Sequence, residues 1–209
     1  MRLDHVSYAC APDQLAEVVQ RIGSDLGAPF TDGGIHPNFG TRNFILPLAD
    51  GTYVEVVAAL DHPAADKAPF GQAVRRRTQE GGGWLCWVVA VDDIAAVEGR
   101  LGRASVRGHR VRPDGTDLRW RQIGVQGVLD DPQLPYFVQW DAGVEHPSRL
   151  GSDVRLASLE ICGDSAVLEA WLDSEQDPLS DASIAWVDCE DQGLVACNFL
   201  TPRGFVRID

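Results

Sequence analysis

The feature that most constrains the fold is a pattern of strands and helices that occurs twice along the chain. The first copy opens with the alternating apolar run 3–8 and closes with the run 53–57. The second copy opens with the run 85–89 and closes with the run 136–140. Because successive elements recur in the same order and at similar spacing, the pattern indicates an internal repeat rather than a chance set of apolar segments.

Each copy reads as a strand, a helix and two further strands. Apolar residues recur at helical spacing over 15–22 in the first copy and over 94–101 in the second, which predicts a helix with one buried face in each. The glycine-rich segment 33–41 is predicted as a loop. The sequence therefore predicts two βαββ modules, over residues 1–60 and 84–142.

Composition limits the classes of partner. The chain has 209 residues and a formal net charge of −13, which argues against nucleic acid or an anionic membrane surface as its partner. There is no run of about 18 apolar residues of the kind that spans a membrane, and the first residues do not resemble a signal peptide. We therefore expect a cytoplasmic protein.

Cysteine usage gives no sign of a metal centre or a disulfide framework. The count is odd, and no pair has the CxxC spacing. The five residues are Cys10, Cys86, Cys162, Cys189 and Cys197. Since four of them lie in or beside apolar strand-like runs, we expect buried free thiols.

The repeat places polar residues at matching positions in the two copies. His5 and Glu55 lie inside the first and last strands of copy one, while Trp87 and Gln139 stand at the corresponding positions of copy two. A His/Glu pair from each copy would give a four-ligand metal site, but here half of it is missing. His5, Glu55 and Gln139 supply at most three ligands, which water or His36 would complete for Zn, Ni, Fe, Mn or Co. The alternative is a hydrogen-bonded His5–Glu55 pair that lines a metal-free cavity.

The loop around His36 is the second candidate for chemistry. His36 lies in a glycine-rich loop with Asn43, a candidate substrate-binding residue, close behind it. Such a loop can place polar groups over the mouth of a cavity, although His36 can equally be an exposed turn residue. If the protein is an enzyme, His36 is the predicted general acid or base after Glu55, because the pKa of histidine lies near neutrality.

Aromatic and basic residues alternate on a strand of the second copy. Arg119 and Arg121 face one way and Trp120 the other. If the arginines face the cavity, they can bind a carboxylate. If Trp120 faces it, an aromatic wall forms together with Trp87 and Trp140. All five are candidate substrate-binding residues.

These segments resemble the vicinal-oxygen-chelate superfamily and, more narrowly, its glyoxalase-like domain family of bacterial proteins. The resemblance rests on the segments 3–6, 34–43, 53–56, 113–121 and 134–140 and covers roughly residues 1–147. It implies two modules in a curved sheet around a cavity, where a divalent metal chelates two neighbouring substrate oxygens. Members of the superfamily isomerise hemithioacetals, cleave catechols, epimerise acyl thioesters, inactivate fosfomycin or sequester drugs without a metal.

We therefore predict an α+β protein in which two βαββ modules form a curved mixed sheet, over residues 1–147. Residues 148–209 are predicted as a C-terminal α/β extension that repeats the motif in part. Two functions stay open for a small-molecule ligand. One is a lyase, isomerase or dioxygenase of the vicinal-oxygen-chelate type with an incomplete metal site, and the other is a metal-free binding protein of the bleomycin-resistance type. Trp87 at a ligand position favours the second, or chemistry that relies on Glu55 alone, and a homodimer stays open as the oligomeric state.

Overall fold

The computed structural model describes residues 1–173 and 182–209. The first module contains β1 (Arg2–Ala9), α1 (Leu15–Leu26), β2 (Thr31–His36), β3 (Thr41–Pro47) and β4 (Tyr53–Ala59). Two helices follow, α2 (Pro63–Lys67) and α3 (Pro69–Gln79). The second module contains β5 (Gly83–Ala90), α4 (Ile94–Leu101), β6 (Val106–Val111), β7 (Asp117–Ile123), α5 (Val125–Asp130) and β8 (Tyr136–Trp140). The C-terminal part contains β9 (Arg155–Cys162), α6 (Ser165–Leu172), β10 (Ser183–Val187), β11 (Gly193–Thr201) and β12 (Gly204–Ile208).

The two modules close into one eight-stranded barrel with the strand order β1-β4-β3-β2-β6-β7-β8-β5. Within each module the first and last strands run parallel, as β1 with β4 and β5 with β8. The modules meet along two antiparallel seams, β1 with β5 and β2 with β6. The predicted fold class, a curved mixed sheet built from two similar modules, is confirmed.

Each module contains one strand that the sequence did not reveal. The segment predicted as a glycine-rich loop forms β2, and β6 occupies the corresponding place in the second module. Neither strand has a clear apolar alternation. β2 carries Gly33 and Gly34, and Gly34 has a φ of 100°, a backbone conformation that other residues adopt only with strain.

Strands β1, β4 and β5 of the barrel are buried on both of their faces. An outer hydrophobic cluster joins the barrel to α1, α4, α6 and the C-terminal strands. An inner cluster joins it to α3 and α5 and contains Phe39, Phe70, Trp120 and Tyr136. Strands covered on both faces read as nearly continuous apolar runs, which explains runs such as Tyr53–Ala59.

The C-terminal strands form a separate four-stranded sheet in the order β10-β9-β11-β12. This sheet covers the outside of the barrel, where Trp84 Nε1 donates a hydrogen bond to the carbonyl of Ile208 at 2.8 Å. Phe199 from β11 is fully buried in the outer cluster. Barrel and C-terminal sheet thus share one hydrophobic core.

The cysteines differ in part from the expectation of free thiols. Cys162 at the end of β9 and Cys189 after β10 form a disulfide. The other three cysteines are free and buried, as expected. The two bonded residues are brought together by the parallel pairing of β9 with β10, which the spacing of cysteines along the chain does not encode.

In the described residues, 1–173 and 182–209, none of the helices has the length and apolar character needed to cross a membrane.

Candidate functional site

A narrow cavity lies inside the barrel and receives side chains from both modules. His5, Tyr53 and Glu55 enter from β1 and β4, and Tyr136, Val138 and Trp140 enter from β8. The remaining lining residues are His36, Phe39, Asn43, Phe70, Arg110, Trp120 and Gln122. Six of the thirteen lining residues are Phe, Tyr or Trp, and polar side chains stand between them, which is the usual make-up of a small-molecule site.

Strand periodicity decides which residues reach the cavity. On β4, Tyr53 and Glu55 point inward, whereas Val54 and Val56 belong to the outer cluster. The same alternation sends Trp120 and Gln122 of β7 inward. The sequence prediction that His5 and Glu55 point into one space is consistent with this placement.

Glu55 is a buried carboxylate with both oxygens held in place. Ser7 Oγ donates to Oε2 at 2.6 Å, and Asn43 Nδ2 donates to Oε1 at 2.6 Å. Burial on its own would raise the pKa of Glu55, but the nearby His5 and His36 and the two hydrogen bonds lower it below its ordinary value. Glu55 is therefore ionised at neutral pH.

His5 is oriented by its chain neighbour Asp4. The two residues are joined by a 2.6 Å hydrogen bond between His5 Nδ1 and Asp4 Oδ1. The other oxygen of Asp4 accepts from Trp140 Nε1 at 2.9 Å and bonds His146 Nε2 at 3.0 Å. Burial would raise the pKa of Asp4, but the hydrogen bonds from His146 and His5 hold it far below its ordinary value. An ionised Asp4 keeps a proton on Nδ1, so Nε2 of His5 faces Glu55 Oε2, 3.9 Å away.

His36 lies at the end of β2 and is buried. Its Nδ1 forms a 2.9 Å hydrogen bond with Thr41 Oγ1, and Asn43 Nδ2 lies 3.5 Å from its Nε2. Burial lowers the pKa of His36 to about 4, although the charge of Glu55 opposes the shift. The near-neutral pKa that suggested an acid–base role is therefore absent, and His36 is a neutral imidazole at pH 7 that helps to position Asn43.

Arg110 is the one buried cation of the cavity, and sequence reasoning missed it. Its side chain is only 3% exposed and lines the cavity. Its position on β6, two residues after Gly108, follows from strand alternation, but β6 itself was not predicted as a strand. The signal that could have found it is the pattern Arg107-Gly108-His109-Arg110, in which alternate residues take opposite faces.

The structure corrects the placement of Trp87 and Gln139. Trp87 is fully buried in the outer cluster, where its Nε1 donates to the carbonyl of Gln133 at 3.0 Å. The Gln139 amide oxygen accepts from the backbone N–H of Ile94 at 3.2 Å, at the start of α4. The predicted match between the two copies is shifted by one residue, and a shift of one residue sends a side chain to the opposite face of the strand. Neither residue lines the cavity.

The two arginines beside Trp120 are also outside the cavity. Arg119 Nε pairs with Asp117 at 2.8 Å, and Arg121 pairs with Glu98 at 2.7 Å, both on the outer face of β7. The aromatic face therefore meets the cavity, which was one of the two alternatives. Trp120 and Trp140 stand there with ring centroids 5.3 Å apart.

The donor groups of the cavity do not fit a metal centre. Among residues 1–173 and 182–209, no group of three or more His, Cys, Asp or Glu side chains is placed to hold a metal ion. With Gln139 outside, His5 and Glu55 are left as the predicted ligands beside His36, whose Nδ1 bonds Thr41 and whose Nε2 faces the Asn43 amide nitrogen. Metal sites with an open position ordinarily use three protein ligands, and the second module supplies Tyr136 and Val138 where a ligand would have to stand.

Comparisons with known proteins agree with this architecture. A family model described as a glyoxalase-like domain matches residues 3–174. A hypothetical protein from Staphylococcus aureus has a TM-score of 0.69 at 14% identity, with 100% of this chain and 98% of that one covered. At that identity the likeness shows the fold alone. None of the curated proteins matches the sequence.

Two methylmalonyl-CoA epimerases are more distant in structure. The Mycobacterium tuberculosis protein has a TM-score of 0.43 at 17% identity, with 66% of this chain and 86% of that one covered. The Streptomyces coelicolor protein, in complex with 2-nitronate-propionyl-CoA, has a TM-score of 0.47 at 16% identity, with 70% and 99% covered.

Proposed function

This chain belongs to the glyoxalase-like domain family, and from that premise we propose that it is a small-molecule enzyme that transfers protons inside the barrel cavity. The observation that carries the proposal is the ionised carboxylate of Glu55, fixed at both oxygens and facing an enclosed aromatic cavity. A carboxylate held in this way is suited to act as a general base. The reaction class is isomerisation or elimination at a carbon next to a carbonyl group.

Glu55 is the proposed catalytic residue. Its carboxylate takes a proton from the carbon beside the carbonyl, and the electron pair of the broken C–H bond moves onto the carbonyl oxygen. The hydrogen bonds from Ser7 and Asn43 fix its orientation and still leave lone pairs for the substrate proton. Return of the proton to the carbon completes an isomerisation.

His5 is proposed to stabilise the charge that develops on the substrate oxygen. Asp4 fixes the ring through Nδ1, and in the imidazolium form of His5 the Nε2–H group is the donor that faces the cavity. No step requires a metal, which suits the donor set described above.

The test is hydrogen exchange into candidate substrates. A panel of small carbonyl compounds is incubated with the protein in D2O, and loss of the C–H signal beside the carbonyl is followed by NMR. We expect Glu55→Gln to slow this exchange by about 10²–10⁴-fold, the usual contribution of a general base. Glu98→Gln is the matched control, because Glu98 pairs with Arg121 outside the cavity. Exchange by Glu55→Gln at the wild-type rate would show that Glu55 is not the base.

The second candidate function is sequestration of an aromatic ligand without chemistry. It is favoured by the aromatic walls, in which Trp120, Trp140, Phe39 and Phe70 lie within contact of one another or of His36. Ligand binding that quenches tryptophan fluorescence, with no deuterium exchange and equal affinity in Glu55→Gln, would support this candidate instead.

A further inference from the structure

We propose that Arg110 makes the cavity selective for small monocarboxylates, whose carboxylate group binds the guanidinium while an apolar body lies between the aromatic walls. This inference rests on the proposed function only in taking the cavity as the site of the ligand. It names the class of ligand, which neither the fold nor the family establishes.

Arg110 is a charged group with no partner. Among residues 1–173 and 182–209 it donates no hydrogen bond and has no carboxylate within salt-bridge distance, and its Nε is buried without an acceptor. Burial lowers its pKa, but arginine stays protonated in proteins. Burying an unpaired cation is costly, so such a residue is retained where a ligand supplies the missing anion.

Three other arginines of the chain, all less deeply buried than Arg110, do reach acceptors. Arg42 pairs with Asp32 at 2.6 Å, and Arg112 pairs with Glu145 at 3.3 Å. Arg77 Nε donates to the carbonyl of Trp84 at 2.9 Å. Arg110 is more deeply buried than these three, and within the described part of the chain it reaches no acceptor.

The surroundings of Arg110 select the rest of the ligand. Its planar guanidinium matches the two oxygens of a carboxylate in a paired hydrogen-bond geometry. Trp120, Phe70 and Tyr136 supply flat apolar surface in the same cavity. Glu55 is ionised and faces that space, so a second carboxylate on the ligand would be repelled. The cavity therefore suits a compact monocarboxylate with an aromatic or otherwise apolar body.

The test compares acids with their uncharged amides. Acetate, benzoate and phenylacetate are titrated against acetamide, benzamide and phenylacetamide, with calorimetry and tryptophan fluorescence as readouts. We expect at least one acid to bind wild-type protein about tenfold or more tightly than its amide, and Arg110→Gln to remove that preference. Arg110→Lys keeps the positive charge but lacks the planar guanidinium group. It should therefore retain part of the preference for the acid over its amide. Arg112→Gln is the matched control, since Arg112 pairs with Glu145 outside the cavity.

A thermal melt without ligand separates this role from a structural one. If Arg110 is present for a ligand, Arg110→Gln removes an unpaired buried charge and should leave Tm unchanged or raise it. If Arg110 instead stabilises the fold by balancing the negative charge of Glu55, Arg110→Gln should lower Tm.

A fall in Tm, equal affinity of acids and amides, no binding by any of the acids, or an unchanged preference in Arg110→Gln would each overturn the proposal. The role of Arg110 is tested by ligand affinity and by Tm, whereas the role of Glu55 is tested by the rate of deuterium exchange. Loss of one proposal is therefore distinguishable from loss of the other.

Discussion

At the scale of single residues, burial sets the charge of His36 and with it part of the pH dependence of stability. Its pKa of about 4 in the folded protein lies below the value of roughly 6.5 expected in the unfolded chain. Between these values the unfolded chain binds more protons, so stability rises with pH across that window. The contribution of neutral His36 is complete above about pH 6.5 and is lost as the pH falls toward 4.

We predict that the wild-type protein loses about 2 kcal/mol more unfolding free energy than His36→Gln between pH 7 and pH 5. Urea denaturation of both proteins at the two pH values measures this difference. Using the difference between the two proteins removes the contributions of the other titrating groups. Equal pH dependence of the two would mean that His36 is already protonated in the folded protein at pH 5.

The donor groups of the cavity give a second prediction at this scale. His5 and Glu55 alone do not make a metal site, so protein purified without a nickel column or chelator should contain well under one equivalent of Zn, Ni, Mn, Fe or Co. Elemental analysis measures this content. About one equivalent, lost in His5→Ala, would show that further ligands complete the site, and the proposed proton transfer would then need revision.

At the scale of strands, the sequence could predict those that are buried on both faces and not those that close the barrel. β1, β4, β5 and β8 are apolar runs, and their order along the chain established the repeat. β2 and β6 contain glycines and charged residues and have no alternating apolar pattern. Pairing with neighbouring strands, rather than their own sequence, stabilises them.

The limits of the site prediction follow from the same strands. His5, Glu55, Trp120 and Trp140 were found because they lie on predicted strands, where alternation fixes the face. Arg110 was missed with β6. Trp87 was misplaced because β5 pairs with β1 through register shifts, which the spacing of residues along the sequence does not record.

Closure of the barrel depends on a close approach at Gly34. A Cβ built there would lie 1.9 Å from the carbonyl oxygen of Val111 on β6. Gly81 is a matched control, because its φ of 103° is close to the 100° of Gly34 but its surroundings are open. Both alanine substitutions strain the backbone, and only Gly34→Ala also clashes.

We predict that Gly34→Ala costs about 1–3 kcal/mol more unfolding free energy than Gly81→Ala. Chemical denaturation of the two variants measures the difference. Equal losses would mean that β2 and β6 separate at little cost.

At the scale of the whole molecule, one core joins the barrel to the C-terminal sheet. The outer cluster contains Val6 and Trp84 from the barrel together with Leu159 and Phe199 from the C-terminal strands. The family match also extends to residue 174, past the predicted boundary at 147. The division into residues 1–147 and 148–209 stays a prediction, and the shared core leads us to propose that the two parts unfold together.

Two phenylalanines of the C-terminal sheet test this coupling. Phe199→Ala should cost about 3–5 kcal/mol of unfolding free energy, because Phe199 is fully buried between the sheets. Phe205 is 64% exposed on the neighbouring strand, and Phe205→Ala should change stability by no more than about 0.5 kcal/mol. Denaturation followed by tryptophan fluorescence and by circular dichroism should give coincident transitions in both variants. A separate early transition in Phe199→Ala would mean that the C-terminal sheet unfolds on its own.

The two seams of the barrel are unequal, and this has a consequence for how a ligand enters. β1 and β5 pair from Arg2 to Ala9, whereas β2 and β6 are joined through the single pair Ile35 and Val111. Local opening favours the weaker seam, so its backbone amides should exchange with solvent well before those of the stronger one. Arg110 adjoins Val111 on that seam. We therefore predict that the β1–β5 seam stays closed and that a ligand enters at the β2–β6 seam, where it first meets the guanidinium of Arg110.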